Sequence, residues 1–343
     1  MNGTEDLLPP LEESSGHIFS LTKTILIILL ILVFIEGITG NGFVIHATFR
    51  VQVFRVDRST VAFIRHLAIT DLLYIILNIP PLVLFIVTMT PGPGVLETNL
   101  KLQEAVDKAC YVFGNAHDAM VHCNVIFILV ISINRFLRCM KPLQISVMTS
   151  RQEAWCLAGF WGVALAPSLA KICLQAATVL PVYHFESQTA RCEFSLTGSW
   201  ETYNLISICT AFSLITLCNL GLLILSLNRQ SRLLTKRMRR MKLQAFLITG
   251  GISCIFIMSW LPAVASSLLS WLQLQTPMEL KYATHLYIIN TFSNPILYAF
   301  VNTGYFKFLQ FKIKFMKLKF QTKLIGLMLQ LKGVTGSDSQ ADA

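Results

Sequence analysis

Seven long stretches of mostly apolar residues, nearly free of charge, constrain this chain more than any other feature. They cover about 24–49, 60–88, 107–139, 151–177, 201–228, 236–270 and 279–302. A helix that crosses a bilayer needs roughly 20 such residues. Composition agrees. Of 343 residues, 54% are hydrophobic and only 13% charged, against about 25% charged in ordinary soluble domains. Folded in water, such a chain would expose very large apolar patches. The apolar content excludes a disordered chain, and 18 Gly and 9 Cys are too few for a collagen-like or disulfide-scaffold class. The expected fold is an all-α membrane protein, a seven-transmembrane helix bundle with a short amphipathic helix after the seventh span. Pro80, Pro81, Pro167, Pro262 and Pro295 lie inside these stretches. Kinks are expected there rather than helix ends, because neighbouring helices can re-satisfy the freed backbone groups.

The net charge of +10 is placed like that of a membrane protein, not a nucleic-acid binder. Of 28 Lys and Arg, six lie before the first span or in the even-numbered connections and their flanks: Lys23, Lys101, Lys108, Lys171, Arg191 and Lys281. The other 22 lie in the odd-numbered connections, their flanks and the tail. Basic residues stay cytoplasmic, so the N-terminus is expected outside and the C-terminus inside. No nucleic-acid recognition motif accompanies the charge. The basic face should attract anionic lipid headgroups. The acidic first residues do not read as a cleavable signal peptide, so the first span is expected to drive insertion. Asn2-Gly3-Thr4 is a glycosylation sequon.

The expected organisation is an extracellular N-terminus over 1–23, a bundle over 24–302, an interfacial amphipathic helix over 303–320 and a cytoplasmic tail over 321–343, disordered in its last ten residues. In the interfacial helix, Phe306, Phe308 and Phe311 are expected on one face, with Lys307, Lys314 and Lys317 reaching headgroups.

Polar groups inside a bilayer are costly and point to function. Gly40-Asn41 stands in the first span and Leu67-Ala68-Ile69-Thr70-Asp71 in the second. Asn134-Arg135-Phe136 closes the third. Phe256-Ile257-Met258-Ser259-Trp260-Leu261-Pro262 lies in the sixth and Asn294-Pro295-Ile296-Leu297-Tyr298 in the seventh. Together, in order and one per span, these resemble the rhodopsin-like (class A) G-protein-coupled receptors over about residues 24–320.

The resemblance implies several roles. Cys110 and Cys192 would form a disulfide tying the second outer loop over a pocket; two free thiols are the alternative. Asn41, Asp71, Asn124, Asn290 and Asn294 would form a polar network holding a sodium ion, or a plain hydrogen-bond network that packs the helices. Asn124 replaces the Ser common in the family. Trp260 and Phe256, beside the Pro262 kink, would transmit ligand contact. Arg135, supported by Tyr298, would engage a heterotrimeric G protein. Met140, Pro142 and Leu143 and the basic stretch from Arg229 to Lys242 would join that surface, and arrestin is a further expected partner.

Several positions depart from the family. The acid usual before the third-span arginine is Asn134, and its usual second partner is Lys242, which would repel. An arginine with neither restraint predicts raised basal signalling. The fifth span lacks the family's proline and has Asn219 or Leu223 where a Tyr is expected, which favours weak coupling instead. The stretch from Asp71 to Cys110 is long and carries Thr90-Pro91-Gly92-Pro93-Gly94, a turn signal.

For the ligand, Ile288 stands where an opsin has its retinal lysine, and His117 where amine receptors have an aspartate, with Asp118 one residue on. His117, His122, Lys171, Arg191, Lys281 and His285 would suit an anionic lipid, nucleotide, organic acid or peptide carboxylate. Several of them are equally readable as satisfied bundle residues or snorkelling side chains. No transporter repeat, channel filter or enzyme constellation is visible. The alternatives within the fold are a chemosensory receptor and a non-signalling decoy or scavenging receptor.

Overall fold

A computed structural model describes residues 11–50, 53–54, 58–88, 100–140, 149–178, 183–186, 191–194, 199–227, 236–277, 280 and 283–337. Its long helices are α1 (Leu11–Thr48), α2 (Arg58–Thr88), α3 (Leu100–Met140), α4 (Ser150–Thr178), α5 (Ser199–Leu227) and α6 (Lys236–Trp271). A 3-10 turn, Thr284–Tyr287, leads into α7 (Ile288–Val301), and α8 follows over Thr303–Ser337. Strands β1 (Tyr183–Glu186) and β2 (Arg191–Phe194) pair antiparallel as a hairpin, with Phe185 opposite Cys192.

Among the described residues, α1 to α6 each contain a segment long and apolar enough to cross a membrane. The seventh crossing differs from a single helix over 279–302. A 3-10 turn interrupts it: Leu280 and Ala283 are helical before the turn, and the turn with the 14 residues of α7 spans about 29 Å. That is close to the thickness of the hydrocarbon core. All five prolines named above lie inside helices.

The long helix α3 is the hub, touching α2, α4, α5, α6 and the hairpin, while α7 closes the ring against α1, α2 and α6. In lipid there is little hydrophobic drive between helices, so close packing matters most. Small residues supply it. A Cβ on Gly37 would lie 2.2 Å from Ile75 on α2, and one on Gly221 would lie 2.4 Å from the Phe136 ring. Phe136 of the third-helix motif is therefore a packing residue between α3 and α5.

The corner between α7 and α8 is set by Asn302. Its backbone is extended (φ −102°, ψ 97°), and its Oδ1 accepts from the amides of Gly304 and Tyr305 at 3.0 and 3.1 Å. This is a side-chain helix cap. Its Nδ2 donates to the Phe54 carbonyl at 2.8 Å. Tyr305 is buried against Phe54 and Tyr298. Burial first, and the nearby Glu36 carboxyl second, push its phenol up, so it stays neutral.

Helix α8 continues beyond residue 320 to Ser337, into the stretch expected to be disordered. The expected Phe cluster does not form. Phe308 is partly buried and stacks on His46 of α1, whereas Phe306 and Phe311 are exposed. The reason is geometric: at about 100° per residue, residues 306 and 308 point to nearly opposite sides of a helix.

Candidate functional site

The polar centre of the bundle is built around Asp71, which is fully buried on α2. Asn294 of α7 donates to its Oδ2 at 2.8 Å. The Thr70 hydroxyl, next in sequence, bonds Asn124 Oδ1 on α3. Asn41 joins the network by a different route. Pro295 has no N–H to give the carbonyl of Thr291, four residues back. Asn41 Nδ2 supplies the missing donor at 2.9 Å and thereby links α1 to α7. Four side-chain oxygens, on Asn41, Asp71, Asn290 and Asn294, are buried with no hydrogen-bond donor. Each would be costly if left unmet. Oxygen ligands of this kind, one of them a carboxylate, suit a hard cation or ordered water.

At one end of α3, Asn134 Nδ2 donates to Thr60 Oγ1 at 2.8 Å. Its Oδ1 accepts from Arg138 Nε at 3.2 Å, and Arg138 Nη2 reaches Ser59 Oγ at 2.9 Å. Asn134 thus pins α3 to α2 with neutral groups, and Arg135 is buried beside it. Tyr298 is buried edge-on to Phe54 at 5.7 Å, with no partner for its hydroxyl. Nearby, Asn219 of α5 donates to Ser253 Oγ of α6 at 2.9 Å, and Ser253 lies 3.4 Å from Ser132 of α3. Asn219 of α5 thus reaches α6 directly and α3 through Ser253. The Lys242 side chain, Pro142, Leu143 and residues 229–235 lie outside the description.

Nearer the Cys110 end, an aromatic relay runs through the bundle. The His117 ring lies 5.1 Å from Tyr287 and Tyr287 lies 5.5 Å from Trp260. Phe256 follows at 6.1 Å from Trp260 and Phe212 at 5.0 Å from Phe256. Tyr74 flanks His117 at 5.5 Å. His117 Nδ1 lies 3.2 Å from Asn78 Oδ1, and Asn78 Nδ2 is committed to the Tyr74 carbonyl. The Tyr74 hydroxyl lies 3.3 Å from the same Nδ1, so this nitrogen either donates to the Asn78 oxygen or accepts from the tyrosine, according to the tautomer. Protonation makes both ring nitrogens donors.

The other expected pocket residues divide. Lys171 of α4 is buried and forms an ion pair and hydrogen bond with Asp118 of α3. The two charges are paired with each other, Lys171 almost wholly buried and the Asp118 side chain 27% exposed. His122 Nδ1 donates to the Asp118 carbonyl at 2.7 Å, a satisfied helix residue. His285 stands on the 3-10 turn, 6.4 Å from Tyr287 ring to ring. Ile288 is buried at the start of α7. The Arg191 and Cys192 side chains, Lys281 and Asn2 lie outside the description. Cys110 is disulfide-bonded, and the hairpin carrying Cys192 packs on α3.

Sequence reading missed Tyr74, Asn78 and Tyr287, because nothing in a lone apolar stretch marks which aromatic meets a histidine from another helix. It also missed Glu36, whose Oε2 is buried without a partner. Here a signal existed: a single acid within an otherwise apolar span.

The pattern of the 7 transmembrane receptor (rhodopsin family) matches residues 40–298. The chain belongs to the rhodopsin family of seven-transmembrane receptors. No curated protein sequence matches it. Among solved structures it is similar in fold to the crystal structure of squid rhodopsin, at a TM-score of 0.65 and 17% identity over 91% of this chain and 88% of that one. As a rhodopsin-family receptor it is a multi-pass membrane protein of a class that signals through G proteins.

Proposed function

We propose that this receptor sits in the plasma membrane with its N-terminus outside, binds an extracellular ligand near His117, and activates a heterotrimeric G protein from the Arg135 end with raised basal activity. The distribution of lysine and arginine supports the orientation. The observation that carries the functional reading is the relay from His117 through Tyr287 and Trp260 to Phe256. It connects the proposed ligand site with the Pro262 position of α6, and a ligand that favours one geometry there would shift the population of α6 states. Its role is exchange signalling, not chemistry. We place Cys192 as the disulfide partner of Cys110.

Among the described residues, Lys171 is already paired with Asp118 and so offers no open site to a polyanionic nucleotide. A singly charged fatty or organic acid, its acid group at His117 and its apolar body against Tyr287 and Trp260, suits the pocket better. Raised basal activity is supported by the neutral Asn134, committed to Thr60 and Arg138, where an acid would hold Arg135 by a charge-assisted bond worth roughly 1.5–3 kcal/mol.

The test is ligand-independent G-protein activation at matched surface expression. Wild type should signal, Arg135→Ala should abolish the signal, and Asn134→Asp should lower it about tenfold, the factor that corresponds to about 1.4 kcal/mol. An unchanged signal in Asn134→Asp would remove the basal-activity reading, as would a new Asp absorbed wholly by Arg138. Silence in every variant, with ligand uptake retained, would favour a decoy. The same assay ranks mono-anionic lipids and organic acids, with His117→Leu as the variant that should lose the response.

For the polar centre we propose a sodium ion held by Asp71 and the carboxamide oxygens of Asn41, Asn290 and Asn294. Sodium there would neutralise the carboxylate and stiffen the α2–α7 contact. Asp71→Asn should erase any sodium dependence of basal signalling, measured against potassium at constant ionic strength. Equal sodium sensitivity in both proteins would leave a plain hydrogen-bond network.

A further inference from the structure

Helix α8 is unusual in having two apolar sides. Between Thr303 and Ile325 it carries six lysines and no acid. At about 100° per residue, Lys307, Lys314 and Lys317 form one stripe, and Lys312, Lys319 and Lys323 form a second on the opposite side. Between them run two apolar stripes. The broader holds Phe306, Leu309, Ile313, Met316, Phe320 and Leu324. The narrower holds Phe311, Phe315 and Leu318.

A flat bilayer can take one apolar stripe of a helix lying on it, with lysines snorkelling at either flank. The broader stripe is suited to that. The narrower stripe is then left in water. It is substantially exposed in this structure, at 65% for Phe311, 55% for Phe315 and 62% for Leu318, and the Phe311 and Phe315 rings stack on each other at 6.5 Å. The helix is anchored to the bundle through its first turns, by Tyr305 and Phe308.

We propose that α8 is a docking helix for an acidic protein that clasps it from both sides, with two apolar clefts, the chemistry of a calcium-loaded EF-hand sensor. Apolar anchors at i, i+4 and i+7, as in Phe311, Phe315 and Leu318, are how an amphipathic helix enters such a groove. Calcium opens the groove of these sensors. Only an occupant that wraps the helix covers both apolar stripes. The two opposed lysine stripes without a single acid select an occupant with acidic rims on both sides. Binding would lift α8 from anionic lipid, as happens to other basic segments at membranes.

The test uses the full-length receptor in nanodiscs of zwitterionic lipid, with calcium-loaded calmodulin as the probe. Saturable binding that requires calcium is expected. It should weaken at least tenfold in the triple variant Phe311→Ser, Phe315→Ser, Leu318→Ser, and in Lys312→Gln, Lys319→Gln, Lys323→Gln. Unchanged thermal unfolding of each variant rules out misfolding as the cause. No binding to wild type, or equal binding to the serine variant, overturns the proposal. So does quenching of a label at Phe315→Cys by lipid-borne quenchers, which would place this stripe in the bilayer. Receptor dimers lost in the serine variant would assign the face to a second copy and overturn it as well.

Discussion

Asp118→Leu is expected to destabilise the receptor by roughly 3–5 kcal/mol, the usual cost of stranding one member of a buried ion pair. Lys171 is 1% exposed, so without Asp118 its ammonium has no water to turn to. It would have to lose its proton or drag α4 away from α3. The reverse change should be milder. Asp118 keeps 27% of its side chain exposed, so in Lys171→Met the carboxylate recovers part of its hydration. The double variant, Asp118→Leu with Lys171→Met, removes both charges and fills the space with apolar atoms. It should recover most of the lost stability, because replacing a buried pair by packed hydrophobic groups is often neutral or better. Thermal unfolding of the three variants in one detergent is the measurement. Equal small losses in both single variants would mean that water reaches the pair and that it contributes little.

Gly304→Ala should open the corner between α7 and α8. A Cβ at Gly304 would lie 2.1 Å from the Val53 carbonyl oxygen, a backbone atom that cannot swing aside. Asn302 holds the same stretch by bonding the Phe54 carbonyl, so the two contacts fix the chain before α2 to the start of α8. Relieving the clash means breaking the cap or moving α8 outward, at a cost of about 1–3 kcal/mol. Asn302→Ala attacks the corner from the other side. It loses a cap worth about 1 kcal/mol and strands the Phe54 carbonyl and two amides. Both variants should show faster amide exchange over the first turns of α8, with α3 unchanged. Exchange as slow as in wild type would show that the corner is held by packing of Tyr305 and Phe308 alone.

These contacts show where sequence reading reaches and where it stops. Six crossing helices were legible as crossings, because the lack of charge over 20 or more positions leaves a chain few options in a bilayer. Four of them (α2, α4, α5 and α6) were legible to within about two residues, whereas α1 and α3 begin earlier than expected, at Leu11 and Leu100. The seventh was legible as a crossing but not as a 3-10 turn followed by a short helix, since hydropathy carries no information on hydrogen-bond register. Among the expected site residues, Asp71 and Asn294 meet directly, and Asn41 reaches α7 through the carbonyl freed by Pro295. Of the residues expected to favour an anionic ligand, Lys171 is paired with Asp118 and His122 commits its Nδ1 to the Asp118 carbonyl.

The sequence by itself determined that this chain is a bundle of membrane-crossing helices, that its basic residues gather on alternate connections, and that it carries the signature residues of its family. These follow from the cost of moving charge and bare backbone into hydrocarbon, which acts on each segment separately. Only the tertiary structure decided that Lys171 answers Asp118, that Asn41 repairs Pro295, that Asn134 is spent on Thr60 and Arg138, and that Tyr287 links His117 to Trp260. Those pairings depend on the rotation of one helix against another. In lipid that rotation is set by close packing and polar contacts between helices, not by the apolar pattern of any one of them.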